Sequence, residues 1–179
     1  MDNLIKEIMS NLENKNYLSA LALTLILPDI CGEIEYPKII SGKKRYAKWY
    51  NKYIYQHEFP KKPETQKKMK ELDKFDGYAV YQLRCNLLHG GSSDISEHME
   101  EQYSLKKSED FVFELTDTIT SYGKTWELDE DNHSLVIKIG VVDFCRKVCL
   151  TAGKYYKDKE QTDIFNKIVI ADEIKMNFK

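Results

Sequence analysis

Residues 77–91, GYAVYQLRCNLLHGG, decide the fold that the sequence predicts. Read as a helix, this stretch puts the side chains of a core-facing stripe on one face: Ala79, Val80, Leu83 and Leu87. A second, mixed apolar stripe lies on the opposite face: Tyr78, Tyr81, Cys85 and Leu88. Because a helix that is apolar on two faces is normally buried on both, we expect the second face to pack against another helix of this chain or against a second copy of it.

Two ionisable side chains flank the second stripe near the end of this helix. Arg84 and His89 are separated by four residues, and two glycines follow as a helix stop. In an ideal α-helix these side chains lie about 140° apart around the axis and about 7.5 Å apart along it. One straight helix therefore does not bring them together, whereas a bridging phosphate or an antiparallel partner helix would. A purely structural alternative makes Arg84 an ion-pair partner and His89 a C-terminal cap residue.

The spacing of this arginine and histidine resembles the motif of the HEPN superfamily. These all-helical proteins include metal-independent ribonucleases of toxin–antitoxin, phage-defence and CRISPR systems. The matching stretch is Arg84-Cys85-Asn86-Leu87-Leu88-His89. It departs from the family at Cys85, where a polar residue often follows the arginine, and Asn86 stands one position later. The resemblance covers these fifteen residues, 77–91, closely and the helical layout of the first hundred loosely.

The resemblance implies a homodimer in which two motif copies build one RNA-cleaving site, without a metal or another cofactor. His89 would act as general base or acid on the ribose 2′-OH, Arg84 would hold the scissile phosphate, and Asn86 would orient or hydrogen-bond. The products would carry a 2′,3′-cyclic phosphate and a 5′-hydroxyl. The residue types suit this chemistry, because an imidazole titrates near neutral pH and a guanidinium clamps a phosphate with two hydrogen bonds.

A carboxylate stands beside the most apolar run of the chain. Asp29 directly follows the run Leu18–Pro28. Because buried charges are normally paired, we expect Asp29 to pair with Arg45 or Arg84 or to help position the histidine. The alternative is that Asp29 only caps a new helical turn.

The helix predicted over 43–55 combines lysines with aromatic residues, which suits single-stranded RNA. The substrate-binding candidates of this helix are Lys43, Lys44, Arg45 and Tyr46. The alternative is a helix with its aromatic side chains in the core and its lysines in solvent.

Composition limits the class of protein. A chain of 179 residues with 42% hydrophobic residues predicts one domain with a real core. The net charge is only −2, but segment 38–70 has 11 basic and 2 acidic residues, and segment 71–131 has 15 acidic and 5 basic residues. This asymmetry favours a basic face for a phosphate backbone; a solvated lysine-rich face is the alternative.

The periodicity of the chain predicts a mainly α fold. Helical spacing predicts helices over 2–13, 17–34, 43–55, 64–72, 75–89, 143–157 and 162–174, with a helical fragment over 94–101. Alternating apolar and polar residues predict strands over 111–119, 125–128 and 134–139. We therefore expect a single HEPN-like domain over 1–179: a helical bundle over 1–104, a small antiparallel β-hairpin insertion over 105–140 and C-terminal helices over 141–179.

The cysteines and the N-terminus predict a reduced, cytoplasmic protein. The four cysteines form no CxxC pair, and the first residues lack a secretory signal. Cys145 and Cys149 have no histidine near them in the sequence, so we expect them in the core and no metal site. A thiol enzyme built on Cys85 and His89 is disfavoured, since both lie on one helical turn. The apolar run 18–28 is too short to span a bilayer, so no membrane contact is expected.

The competing class is a non-enzymatic protein, an antitoxin-like or adaptor bundle that binds a partner through the basic third helix or the hairpin edge. For the ribonuclease, the expected partners are RNA, a second copy of the chain and an antitoxin protein. The second copy would pack on the face formed by Tyr81, Cys85 and Leu88.

Overall fold

The computed structural model describes residues 1–59, 61–72, 75–92, 95, 112–116, 124–129 and 134–159, with side chains described for 1–59, 61–67, 75–92, 95 and 138–159. This part of the chain is mainly helical, as predicted. The helices are α1 Asp2–Glu13, α2 Tyr17–Thr24, α3 Leu27–Glu35, α4 Gly42–Tyr53, α5 Pro63–Leu72, α6 Gly77–Cys85 and α7 Val141–Asp158. The elements predicted over 94–101 and 162–174 lie outside the described residues, Ile95 excepted.

The stretch predicted as one helix over 17–34 is two helices, α2 and α3. Pro28 has no amide proton for the preceding turn, and the amide of Asp29 bonds the carbonyl three residues before it, at 3.0 Å. The Tyr46 hydroxyl donates a hydrogen bond to the Leu25 carbonyl at this junction, at 3.0 Å. The junction therefore places Asp29 in the first turn of α3, facing the neighbouring helices.

α4 lies between α3 and α6, and two glycines let these helices approach its backbone. A Cβ at Gly32 of α3 would lie 2.9 Å from the carbonyl oxygen of Arg45, and a Cβ at Gly77 of α6 would lie 2.5 Å from that of Ala47. Only a residue without a side chain fits at such distances. Close packing on α4 therefore positions both helices that carry the candidate site.

The aromatic face of α4 belongs to the core. Tyr46, Trp49 and Tyr50 are fully buried. They belong to one cluster with apolar residues of the other helices: Ile8, Leu21, Leu27, Phe75, Leu83 and Val148. The predicted core stripe of the motif helix is confirmed for Ala79, Val80 and Leu83, which are buried, and Leu87 is partly buried against the core. For the rings of α4, core packing is therefore the correct interpretation.

Three of the four cysteines are buried thiols. Burial raises the pKa of Cys31 to about 12, of Cys145 to about 11 and of Cys149 to about 12. Cys145 and Cys149 interact with the hydroxyl of Thr24, which also donates to a carbonyl of its own helix at 2.7 Å. The expected core position of Cys145 and Cys149 is confirmed.

The three strands form one mixed sheet. They are β1 Val112–Thr116, β2 Lys124–Asp129 and β3 Ser134–Gly140, in the order β1-β3-β2. β2 and β3 pair antiparallel, but β1 pairs with β3 in parallel. The prediction of a purely antiparallel hairpin is therefore wrong for β1, because an alternating pattern indicates a strand without indicating its direction. β3 runs directly into α7 at Gly140.

The helical stretch Tyr17–Glu35 is long and apolar enough to cross a membrane, by length and composition alone. The prediction that the apolar stretch is too short to span a bilayer considered only residues 18–28, and it is wrong for the longer stretch Tyr17–Glu35. Core helices of globular proteins meet the same criteria. Here 44% of the most apolar window is buried within the fold, and α3 contacts α4 and α7. Packing inside the protein accounts for part of the apolar character of this stretch.

Candidate functional site

The last turn of α6 meets the first turn of α3 through an ion pair. Arg84 Nε lies 2.7 Å from Asp29 Oδ2, and the two side chains are 24% and 28% exposed. Both atoms are buried and have no well-aligned hydrogen bond, so the contact is electrostatic. Arg45 and Arg84 were both predicted as possible partners of Asp29, and in the structure Asp29 pairs with Arg84.

Burial and charge oppose each other at this pair. Burial raises the pKa of Asp29 above its usual 3.8, and the attraction of Arg84 and Arg45 offsets this only in part. For Arg84, burial lowers the pKa, but the attraction of Asp29 and the contact with Cys85 outweigh that and raise it. A half-buried pair of this kind contributes little stability, since desolvation cancels the attraction. Its clear effect is to fix the direction of the guanidinium.

Side chains of α6 also hold Arg84. The guanidinium carbon lies 5.8 Å from the ring centre of Tyr81, and Nη1 lies 3.9 Å from the sulfur of Cys85. Tyr81 packs edge-on against Tyr46, with ring centres 5.3 Å apart. Tyr46 was predicted to bind substrate. That prediction is wrong, because Tyr46 is fully buried and supports Tyr81 from within the core.

The other α4 candidates lie at the start of that helix. Arg45 is half-buried, and its Nη1 donates to the carbonyl of Ile39 at 2.7 Å. Arg45 therefore ties the preceding loop to α4, and only its charge reaches Asp29. Lys43 Nζ lies 5.8 Å from the ring centre of Tyr78 on α6, and Lys44 is exposed. These two lysines are thus at the surface beside the motif helix.

The residues between Arg84 and His89 leave α-helical geometry. Asn86–Gly90 form a π-helical turn, and Gly91, with a φ of 63°, closes it with its amide directed to the carbonyls of Asn86 and Leu87. In a π-helix the hydrogen bonds run from residue i to i+5, so each residue turns through less than the 100° of an α-helix. Two residues five apart therefore lie on more nearly the same side. By this ideal geometry, a π-helical turn over 86–90 brings Arg84 and His89 closer around the axis than the 140° of a straight α-helix.

His89 and Asn86 differ in their surroundings. His89 is exposed, and Gly91 caps the helix end in its place. Asn86 is half-buried, and its Oδ1 accepts a hydrogen bond from Gln82 Nε2 at 2.8 Å. Sequence reasoning missed both Gln82 and the role of Tyr81. Their spacing, four residues before Asn86 and three before Arg84, is the signal that points to them.

The second apolar stripe of α6 is half covered by its own chain. Lys43 covers Tyr78, and Tyr81 packs on α4. Further along, Cys85 is half-buried and Leu88 is 39% exposed. The end of the stripe nearest His89 is therefore open to a partner.

Metal ligands do not cluster at this site. Within the described residues, no group of three or more His, Cys, Asp or Glu could hold a metal ion. The groups that the site offers are a guanidinium, an imidazole and a carboxylate. These are groups for binding an anion and moving a proton.

Comparisons with known proteins found no relative of this chain. No protein-family model, no curated protein and no solved structure matches the chain.

Proposed function

We propose that this protein is a metal-independent endoribonuclease of the HEPN type. The observation that carries the proposal is the pairing of Arg84 with Asp29, five residues before the exposed His89 and across a π-helical turn. π-helical turns often occur at functional sites. In the proposal, this turn directs the imidazole toward the side of the helix that carries the guanidinium.

The proposed reaction uses the 2′-hydroxyl of the RNA as nucleophile. His89 removes the hydroxyl proton, and the 2′ oxygen forms a bond to phosphorus. The bond from phosphorus to the 5′ oxygen breaks, and a protonated imidazole returns a proton to the leaving oxygen. Arg84 stabilises the charge that develops on the phosphate oxygens. The products carry a 2′,3′-cyclic phosphate and a 5′-hydroxyl.

Asp29 gives this reaction a fixed guanidinium. Its carboxylate engages Nε of Arg84, and a phosphate would need only to replace the long contact of Nη1 with the sulfur of Cys85 to reach the terminal nitrogens. A guanidinium held before substrate arrives does not have to reorganise in the transition state. Asn86, held by Gln82, orients the turn that carries His89.

Two protomers complete the proposed site. The reaction needs one imidazole to accept a proton and another to donate one, and each chain places one histidine at this turn. The open end of the apolar stripe, Cys85 and Leu88 with Tyr81 beside them, supplies the contact surface. A homodimer packed on this face brings two copies of the motif together.

RNA cleavage in EDTA tests the proposal. Wild type is compared with Arg84→Ala and His89→Ala, and Arg146→Ala is the control, since Arg146 is an exposed arginine on α7. We expect cleavage with cyclic-phosphate ends in wild type and control, and a loss of at least about a hundredfold in the two site variants. Cleavage that persists in either site variant would overturn the assignment.

A catalytically inactive HEPN-like module that binds RNA or protein is the second candidate. Cys85 favours it, because this position directly after the arginine often holds a polar residue in the family. An absence of cleavage over several RNAs would select this candidate. The antitoxin partner, the toxin–antitoxin or phage-defence role and a bacterial origin rest on the resemblance and stay predictions. The cytoplasmic location, which rests on the cysteines and the N-terminus, is also a prediction.

A further inference from the structure

A group of lysines lies on the solvent side of α4 and at the end of α7. We name it the lysine patch: Lys44, Lys48, Lys52 and Lys159, with Tyr36 among them. All four lysines are exposed. Lys48 Nζ lies 4.6 Å from the ring centre of Tyr36, and the charges of Lys52 and Lys159 act on the Tyr36 hydroxyl.

Glu35 explains two of the four lysines. Lys52 Nζ lies 2.6 Å from Glu35 Oε1, and Lys159 Nζ lies 3.0 Å from Glu35 Oε2. The hydroxyls of Tyr53 and Tyr155 donate to the same two oxygens, at 2.8 and 2.9 Å. One carboxylate therefore faces two ammonium groups, and the cluster stays positive.

Ion pairs do not account for the other two, and the partner that the structure shows for Lys48 is the ring of Tyr36. Within the described residues Lys44 and Lys48 make no ion pair. Lys44, Lys48 and Lys52 stand at intervals of four residues, so like charges lie on one helix face about 6 Å apart along the axis. Such like-charged pairs destabilise a helix.

α4 also has basic residues in its first turn, where the helix dipole is unfavourable for them. Its first turn begins at Gly42 and contains Lys43, Lys44 and Arg45 but no acidic residue. The positive pole of the helix dipole disfavours cations there. A sequence that breaks local rules without a gain in the fold points to function.

We infer that the lysine patch binds the backbone of a single-stranded nucleic acid, with one base stacked on Tyr36. The lysines meet successive phosphates along α4. Lys48 leaves the face of Tyr36 for a phosphate, and a base takes its place on the ring. A partly exposed ring among lysines favours a single strand, because only unpaired bases offer a free face for stacking. This surface goes beyond the proposed cleavage site and does not depend on catalysis.

The test measures binding of a fluorescent oligouridine of about a dozen nucleotides by anisotropy, in EDTA. It uses the full chain carrying His89→Ala, so that cleavage cannot interfere. Lys44→Gln with Lys48→Gln removes two charges from the patch. The matched control, Lys6→Gln with Lys15→Asn, removes two charges elsewhere; asparagine suits the φ of 59° at position 15.

We expect the patch variant to bind at least about tenfold more weakly at low salt. Its plot of log affinity against log salt should be shallower by about 1.4, since each phosphate contact on a single strand contributes about 0.7 to the slope. Tyr36→Leu should weaken binding about fivefold or more and leave the slope unchanged, since a stacked base is lost without a charge.

Equal losses in the patch variant and the control would overturn the inference, because net charge alone would then explain binding. A Tyr36→Leu variant that binds as well as its parent, with duplex RNA and heparin competing equally well, would also overturn it in favour of a general polyanion surface. Cleavage is not measured here. The failure of this inference is therefore distinguishable from the failure of the proposed ribonuclease.

Discussion

Arg84 of α6 and Asp29 of α3 meet at 2.7 Å, and both of their helices pack closely on α4. Gly32 and Gly77 make this meeting geometrically feasible, since each lets its helix approach α4 closely. The pair therefore depends on backbone packing more than on its own attraction. A variant that removes the ion pair can therefore test its role in function with little effect on stability.

Asp29→Asn is the first such variant. Burial raises the pKa of Asp29 in the folded state above 3.8. At pH values between the unfolded and the folded pKa, the folded state therefore binds more protons than the unfolded state, and stability falls as pH rises through this range. Removing the charge should therefore change the free energy of unfolding at pH 7 by less than about 1 kcal/mol, measured by urea denaturation.

RNA cleavage by Asp29→Asn should fall at least about tenfold in the same preparation, because the guanidinium loses its fixed direction. Glu33→Gln, an exposed position on the same helix, is the control and should cleave normally. If Asp29→Asn cleaved as well as wild type, the positioning role of Asp29 would be ruled out.

Gly77→Ala should destabilise the protein through a backbone clash. The new Cβ would lie 2.5 Å from the carbonyl oxygen of Ala47, and α6 would have to move away from α4. We expect a loss of about 1–3 kcal/mol in the free energy of unfolding. Gly42→Ala is the matched control, since nothing lies within 4 Å of its Cβ, and alanine there should be neutral or slightly stabilising. Similar losses in both variants would argue against the close approach.

The sequence predicted most of this helical framework because the periodicity of its apolar residues is strong. The helix over 2–13 and the core stripe of the motif helix agree with the structure. Pro28 marked a point where the helix over 17–34 could end, because proline removes a backbone donor. The position of the break, between Thr24 and Leu27, was not predicted, since the apolar pattern continues across it. Strand direction was missed because alternation does not encode it.

Only part of the candidate site could be predicted from the sequence. The sequence predicted that Asp29 has a basic partner, because a charge beside an apolar run needs one. It did not show the π-helical turn after Cys85, which depends on backbone hydrogen bonding, or the burial of Tyr46, which depends on the position of α4 between two helices. The partners of Glu35 lie on α4 and at the C-terminal end of α7, which are far from Glu35 and from each other in the sequence. A local sequence pattern therefore could not predict them.

Glu35→Gln should weaken the junction of α3, α4 and α7. Burial alone would raise the pKa of Glu35, but its hydrogen bonds with Lys52, Tyr53, Lys159 and Tyr155 outweigh burial and lower the pKa to about 2. Its stabilising effect is therefore complete above the usual pKa of 4.5 and is lost as pH falls from there toward about 2.

We expect Glu35→Gln to lower the free energy of unfolding at pH 7 by about 2 kcal/mol, since the lost hydrogen bonds involve a charged acceptor. Urea denaturation between pH 7 and pH 3 should show the difference from wild type shrinking as pH falls below 4.5. Glu33→Gln, exposed on the same helix, should stay within about 0.5 kcal/mol at every pH. A difference that does not depend on pH would show that the carboxylate charge is not the cause.

The open end of the α6 stripe gives the last prediction, which concerns the oligomeric state. If a second copy packs on Tyr81, Cys85 and Leu88, Cys85→Asp should convert a dimer to a monomer, because it places a carboxylate in an apolar contact. Leu150→Asp is the matched control: Leu150 is 75% exposed on α7, and a charge there should leave the dimer intact. Light scattering at micromolar concentration reads the mass directly. A wild type that is already monomeric would remove the shared site and, with it, the second imidazole that the proposed reaction needs.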